Sequence, residues 1–161
     1  SAMQGEVERI FAPAQADVDV LLLRGALEVR RADRIIHMDV KGTCASITRR
    51  RTTTQATLGV MFGVDRELQP IGSVDCQSLS GYLGAVSPET FGRALGRVLA
   101  HEVYHYVTQR RNHSERGLFA ASLSDLSLTR PELSFTDEDL DALNGRLKDI
   151  GKTAAGTDGG M

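Results

Sequence analysis

The stretch from His101 to Phe119 reads HEVYHYVTQRRNHSERGLF and holds three of the chain's four histidines. His101 and His105 flank Glu102 in the order H-E-x-x-H. On a helix, residues i and i+4 share a face, so the two imidazoles can converge on one ion while the carboxylate stands beside them. Zinc takes imidazole nitrogens at about 2.0–2.1 Å, and a catalytic zinc keeps three protein ligands and one open position for water. A glutamate next to the first histidine is suited to take that water's proton and pass it to a leaving amine. The third ligand must come from elsewhere. His113 is preferred, beyond the intervening YVTQRRN, and Glu115 is its competitor, as a ligand or as a partner to an imidazole. Asn112 is the expected left-handed residue that reverses the chain between them. The plain alternative, a helix with two surface histidines and an adjacent acid, leaves both imidazoles at the edge of an apolar stripe without a role.

A long helix must carry the pair. It is predicted to open at Ser87 as N-cap, with Pro88 in the first turn and Glu89 at its positive end. Phe91, Leu95, Val98, Leu99 and Tyr106 fall in one apolar sector, expected to pack on a sheet, with Tyr104 on the opposite side. His101 and His105 lie at the border of that sector, and Ala94 leaves room there. Upstream, Val7, Ile10, Phe11 and Ala14 predict a first helix from Gly5 to about Ala12–Gln15. Strands are expected at Val18–Leu23, Asp33–Val40 and Ala56–Val64. His37 lies inside the second and reads as packed or solvated rather than ligating. The ELQPIG segment reads as a turn, and Ser73–Val86 as one or two short, glycine-broken strands at a sheet edge. Arg49, Arg50 and Arg51 sit in Thr48–Gln55, a solvated strand end or loop, or else a contact for an acidic substrate or peptide carboxylate. Downstream, Ser122–Ser134 is loop-like. Phe135–Ile150 reads as a last helix, with Thr136 as N-cap and Leu140, Leu143 and Leu147 on one face.

These elements predict an α+β domain with a mixed, twisted sheet packed on the long helix. The 161 residues suit one domain, placed at 4–150, with residues 1–3 read as a cloning scar and 151–161 as a flexible tail. A hydrophobic fraction of 41% is enough for a core. A net charge of −2 and the absence of Trp give no field or stacking platform for nucleic acid. No apolar run approaches the roughly 18 residues of a membrane span. Cys44 and Cys76 are read either as a pair, if the protein is exported, or as two reduced, buried thiols. The compartment is left unassigned.

The stretch HEVYHYVTQRRNHSERGLF resembles the metzincin clan of zinc peptidases. It is closer to small bacterial metallopeptidases in the style of the archaemetzincins, which place seven residues between the second and third histidines. The strong match covers about twenty residues; the rest agrees in element order. The resemblance implies a minimal zincin domain with one Zn2+ per chain, held by His101, His105 and His113. It also implies peptide-bond hydrolysis by zinc-activated water with Glu102 as general base. Thr108 stands where that clan has a helix-breaking glycine. Gly117-Leu118-Phe119 stands where it has a methionine turn, so Phe119 becomes the expected apolar floor. A peptide or protein substrate would lie extended along a sheet edge, for which Ser73–Val86 is nominated. Tyr82 is read as a partly buried tyrosine or a helper for the substrate oxygen, and Asp125 as a loop cap or an orienter of a ligand histidine. The alternative function is a non-catalytic zinc-binding domain that holds a partner protein.

Overall fold

In the computed structural model the described residues are 1–14, 18–21, 34–45 and 57–156. The spine is α3 (Pro88–Thr108), and it starts as its sequence requires: Ser87 accepts a hydrogen bond from the Thr90 amide, Pro88 opens the first turn and Glu89 follows. Against it packs α1 (Ala2–Phe11), closed by a capping box between Ser1 and Gln4. Helix α1 buries Met3, Val7, Ile10 and Phe11. Residues 1–3 take part in this helix and its cap, and Met3 is buried in the core.

A buried ion pair joins these helices. Arg97 is fully buried and donates to Glu6 Oε1 at 2.6 Å. Its remaining donors reach the carbonyls of Ser127, Leu128, Arg130 and Pro131 at 2.8–3.1 Å. One guanidinium thus fastens α1 and the segment around α4 (Asp125–Thr129) to the spine. That short helix falls inside the stretch read as loop.

The sheet has three strands, β1 (His37–Lys41), β2 (Gly59–Val64) and β3 (Glu67–Asp75), in the order β1-β3-β2. Strand β1 runs parallel to β3 and β2 antiparallel, so the sheet is mixed. Asp65 and Arg66, both at positive φ (47° and 73°), make the β2–β3 turn. ELQPIG is therefore not a turn but the body of β3. Pro70, which has no amide hydrogen to give, sits opposite the register shift between Met61 and Gly63. Gly72 is required by packing, since a Cβ there would stand 2.8 Å from the Val60 carbonyl oxygen, with the sulfurs of Met61 and Met38 at 2.5 and 2.9 Å.

Ser73–Val86 also departs from expectation. It ends the central strand and then forms α2 (Cys76–Leu83), capped by Asp75, so it is not a sheet edge. A disulfide between Cys44 and Cys76 ties α2 to the chain that leaves β1, which resolves the two readings of the cysteines in favour of pairing. Residues 18–21 take no regular structure, contrary to the strand expected at Val18–Leu23, whose last two residues lie outside the described residues. Arg49–Arg51 also lie outside them.

Helix α5 (Asp137–Gly156) is capped by Thr136, which accepts from the Asp139 amide and donates to its carboxylate. It runs six residues past Ile150, into the segment read as a tail. Tyr104, not Tyr106, is the core tyrosine: it is fully buried and its hydroxyl donates to the Asp139 carbonyl at 3.1 Å. Among the described residues no helix is long and apolar enough to cross a membrane.

Candidate metal centre

Helix α3 delivers His101 and His105 from its last turns and stops at Gln109, which takes the left-handed conformation (φ 56°, ψ 21°). The reversal thus comes at Gln109, directly after Thr108, and not at Asn112. Its side chain makes this possible. Gln109 accepts from the Leu68 amide at 2.8 Å and donates to the Leu68 carbonyl at 3.1 Å, pinning the helix end to β3. The chain then turns back under the helix. It is closed by the Ser114 amide on the Phe119 carbonyl at 3.0 Å and the Leu118 amide on the Ser134 carbonyl at 2.9 Å. This strap brings His113 to the other two histidines.

The ring orientations decide the protonation pattern. His101 Nδ1 lies 2.9 Å from the Leu118 carbonyl and His105 Nδ1 lies 2.6 Å from the Arg110 carbonyl. Carbonyls only accept, so each Nδ1 carries the hydrogen and each Nε2 presents a lone pair. These two lone pairs face each other, His105 Nε2 being 3.2 Å from His101 Nε2, and His113 Nε2 lies 3.1 Å from His105 Nε2. Two bare nitrogens at such distances cannot hydrogen-bond to one another; a cation between them satisfies both. Two of the three spacings are short enough for a shared ion, and the three ligand atoms all lie within 4.8 Å of one another. Burial lowers the basicity of all three rings, His101 to about 4, which keeps them neutral as metal ligation requires.

Phe119 lies beneath them. Fully buried, its ring centroid is 5.2, 4.6 and 5.3 Å from those of His101, His105 and His113. Glu102 stands beside the triad, only 7% exposed, with no hydrogen bond or ion pair among the described residues. Burial pushes its carboxyl up to about 7. Gly59, at the start of β2, makes room for it: a Cβ there would be 2.7 Å from Glu102 Cγ and 2.8 Å from Oε1. The triad and Glu102 open onto a cleft of about 590 Å³, walled by Gly59, Met61, Tyr82, Arg111 and Leu123 among others.

Glu115 is exposed and takes no part in the cluster, which leaves His113 as the third member. His37 is exposed on β1. Tyr82 lines the cleft from α2, not from a strand, and its hydroxyl donates to the Leu123 carbonyl at 3.3 Å. Asp125 opens α4, and carbonyls hold the Nδ1 atoms of His101 and His105 in its place. Asp139 escaped the sequence reading. It is fully buried and accepts from Ser114 Oγ at 2.5 Å and Thr136 Oγ1 at 2.8 Å, with Arg110 at 3.7 Å. It thereby grips the residue next to His113. No protein family, curated protein or solved structure matches the chain. Its own geometry brings three close histidines together in an arrangement that could hold a metal ion.

Proposed function

We propose that the chain is a zinc-dependent peptidase built on a metzincin-like domain, with His101, His105 and His113 holding one zinc ion per chain. The observation that carries this reading is Glu102: a buried carboxylate with no partner among the described residues, beside three converging nitrogens and facing a cleft. Three neutral imidazoles are a donor set that suits zinc. Zinc so held supplies Lewis acidity toward a carbonyl oxygen and makes a water acidic enough to lose its proton near neutral pH.

The chain's own residues do the rest. Glu102, beside the triad and facing the cleft, is placed to take a proton from the attacking water and return it to the departing amine. The carbonyls of Leu118 and Arg110 hold the ligand rings in one tautomer. Strand β2 borders the cleft and pairs only with β3 among the described residues, so its outer edge takes the place of Ser73–Val86 as the seat of an extended peptide.

The test uses the full chain purified without chelator, as wild type, Glu102→Gln and His113→Ala. Elemental analysis is run beside mass spectrometry of a digested peptide mixture. About one zinc per chain is expected in wild type and Glu102→Gln, with much less in His113→Ala, and cleavage in the wild type alone. Cleavage by Glu102→Gln at the wild-type rate removes Glu102 from the chemistry. Zinc without cleavage leaves the non-catalytic zinc module, and no zinc removes both readings.

A further inference from the structure

The strap that delivers His113 also carries Arg111. Its guanidinium lies across the end of β2, where a Cβ added to Gly63 would stand 2.7 Å from Arg111 Nη2. This placement is built. Gln109 binds both polar backbone groups of Leu68, and Leu68 is the register partner of Gly63. The end of α3 is therefore riveted to one strand of the hairpin while Arg111 rests on the other. Arg111 has no hydrogen bond or ion pair among the described residues. Among the described residues, Glu102 and Arg111 are the two formally charged side chains in the cleft lining, whose remainder is mostly apolar or histidine.

Distance along the strand turns this into selectivity. Gly59 packs on Glu102 and Gly63 on Arg111. At about 3.3 Å per residue the two glycines are roughly 13 Å apart along β2; the extra residues of the register shift lie in β3 and not between them. A peptide laid along β2 has the same rise. We propose that Arg111 is a specificity-determining residue, selecting substrates that carry a carboxylate three or four residues from the bond that is cut. A guanidinium offers paired donors that match a carboxylate's two oxygens. This inference rests on the peptidase reading and names its substrate class. The carboxylate is an Asp or Glu side chain or the peptide's own C-terminus.

The test takes one peptide that the zinc-loaded chain cleaves and varies it in two ways. A Glu or a Gln is placed three and four residues to either side of the cut, and the C-terminus is left free or amidated. Wild type is expected to favour the carboxylate form about fivefold in kcat/KM at low salt, the preference fading at high salt. Arg111→Gln removes the preference, so that the paired peptides are cleaved alike, and Arg111→Glu inverts it. Arg111 is exposed, so the variants keep the fold, checked by their zinc content. A response to Glu against Gln assigns a side chain, and a response to amidation alone assigns the terminus. No preference in wild type, or a preference that survives Arg111→Gln, overturns the inference while leaving the peptidase standing. If nothing is cleaved, the peptidase reading falls and fluorescence anisotropy with the same labelled peptides decides this one separately. Tighter binding of the carboxylate form, lost in Arg111→Gln, upholds the carboxylate site; equal binding removes it.

Discussion

Replacing Phe119 with alanine tests whether the three histidines stand on its ring. The ring is fully buried and its centroid lies 4.1 Å from Tyr104 and 4.6 Å from His105, with the Arg110 guanidinium 5.6 Å away. Two separate losses are expected. Emptying a buried phenylalanine costs about 3–5 kcal/mol, which in a chain of this size lowers Tm by about 10 °C in the presence of chelator. The second loss is one of organisation, because the imidazoles lose the wall that limits their tilt. A tenfold weaker zinc affinity is then expected, and at fixed free zinc it removes about 1.4 kcal/mol of the ion's stabilisation. The alanine variant should thus fall further behind wild type in zinc than in chelator, by about 3–5 °C. Phe119→Met keeps the volume and the apolar surface, so it should lose under about 1.5 kcal/mol and hold zinc almost as well. Paired thermal scans in chelator and in buffered zinc, with competition against a metal indicator, read both quantities. An alanine variant destabilised equally in the two conditions, with unchanged zinc affinity, would refute the floor and leave Phe119 as core packing alone.

Gly59→Ala puts a Cβ 2.7 Å from Glu102 Cγ. Displacing the carboxylate by about an ångström should lower kcat about a hundredfold while the zinc content stays at the wild-type value, and an unchanged kcat counts against Glu102 as the base. Asp139→Asn weakens the grip on Ser114 and Arg110 and should loosen zinc about tenfold in a competition titration. Equal affinities would show that α5 does not position His113. Glu6 supplies a pH dependence: burial raises its carboxyl, but the hydrogen bonds from Arg9 and Arg97 outweigh burial and hold it below the usual glutamate range. A depressed carboxyl stabilises the fold fully above its unfolded pKa and loses that contribution as pH falls through the folded one. Urea midpoints should therefore drop below about pH 4.5 in wild type and drop less steeply in Glu6→Gln, and parallel pH profiles would contradict the pairing.

What could be read ahead of the structure divides along a physical line. Helix geometry fixes where i and i+4 point, so His101 and His105 could be placed on one face, with Glu102 beside them, from spacing alone. The mixed sheet and the long helix were likewise legible as elements. The failures fall where a side chain replaces a backbone partner. Pro70 and Gly72 look like turn punctuation, but the register shift absorbs the one and the Val60 carbonyl with two methionine sulfurs requires the other, so a central strand looks like a break. Gln109 carries no turn signature and holds a left-handed backbone because its amide completes the unpaired edge of Leu68. Arg97 looks like one more polar residue on an amphipathic helix; its burial depends on Glu6 and on carbonyls 30 to 34 residues away. The same rule explains the place of Phe119. The position asks for an apolar body under three rings and for no ligand atom, and that demand is visible only once the strap from Gln109 to Phe119 has closed. The motif marks which atoms can meet a metal ion. The contacts that hold His113 against His105 belong to Gln109, Ser114 and Asp139, and none of these residue types announces such a role by its spacing.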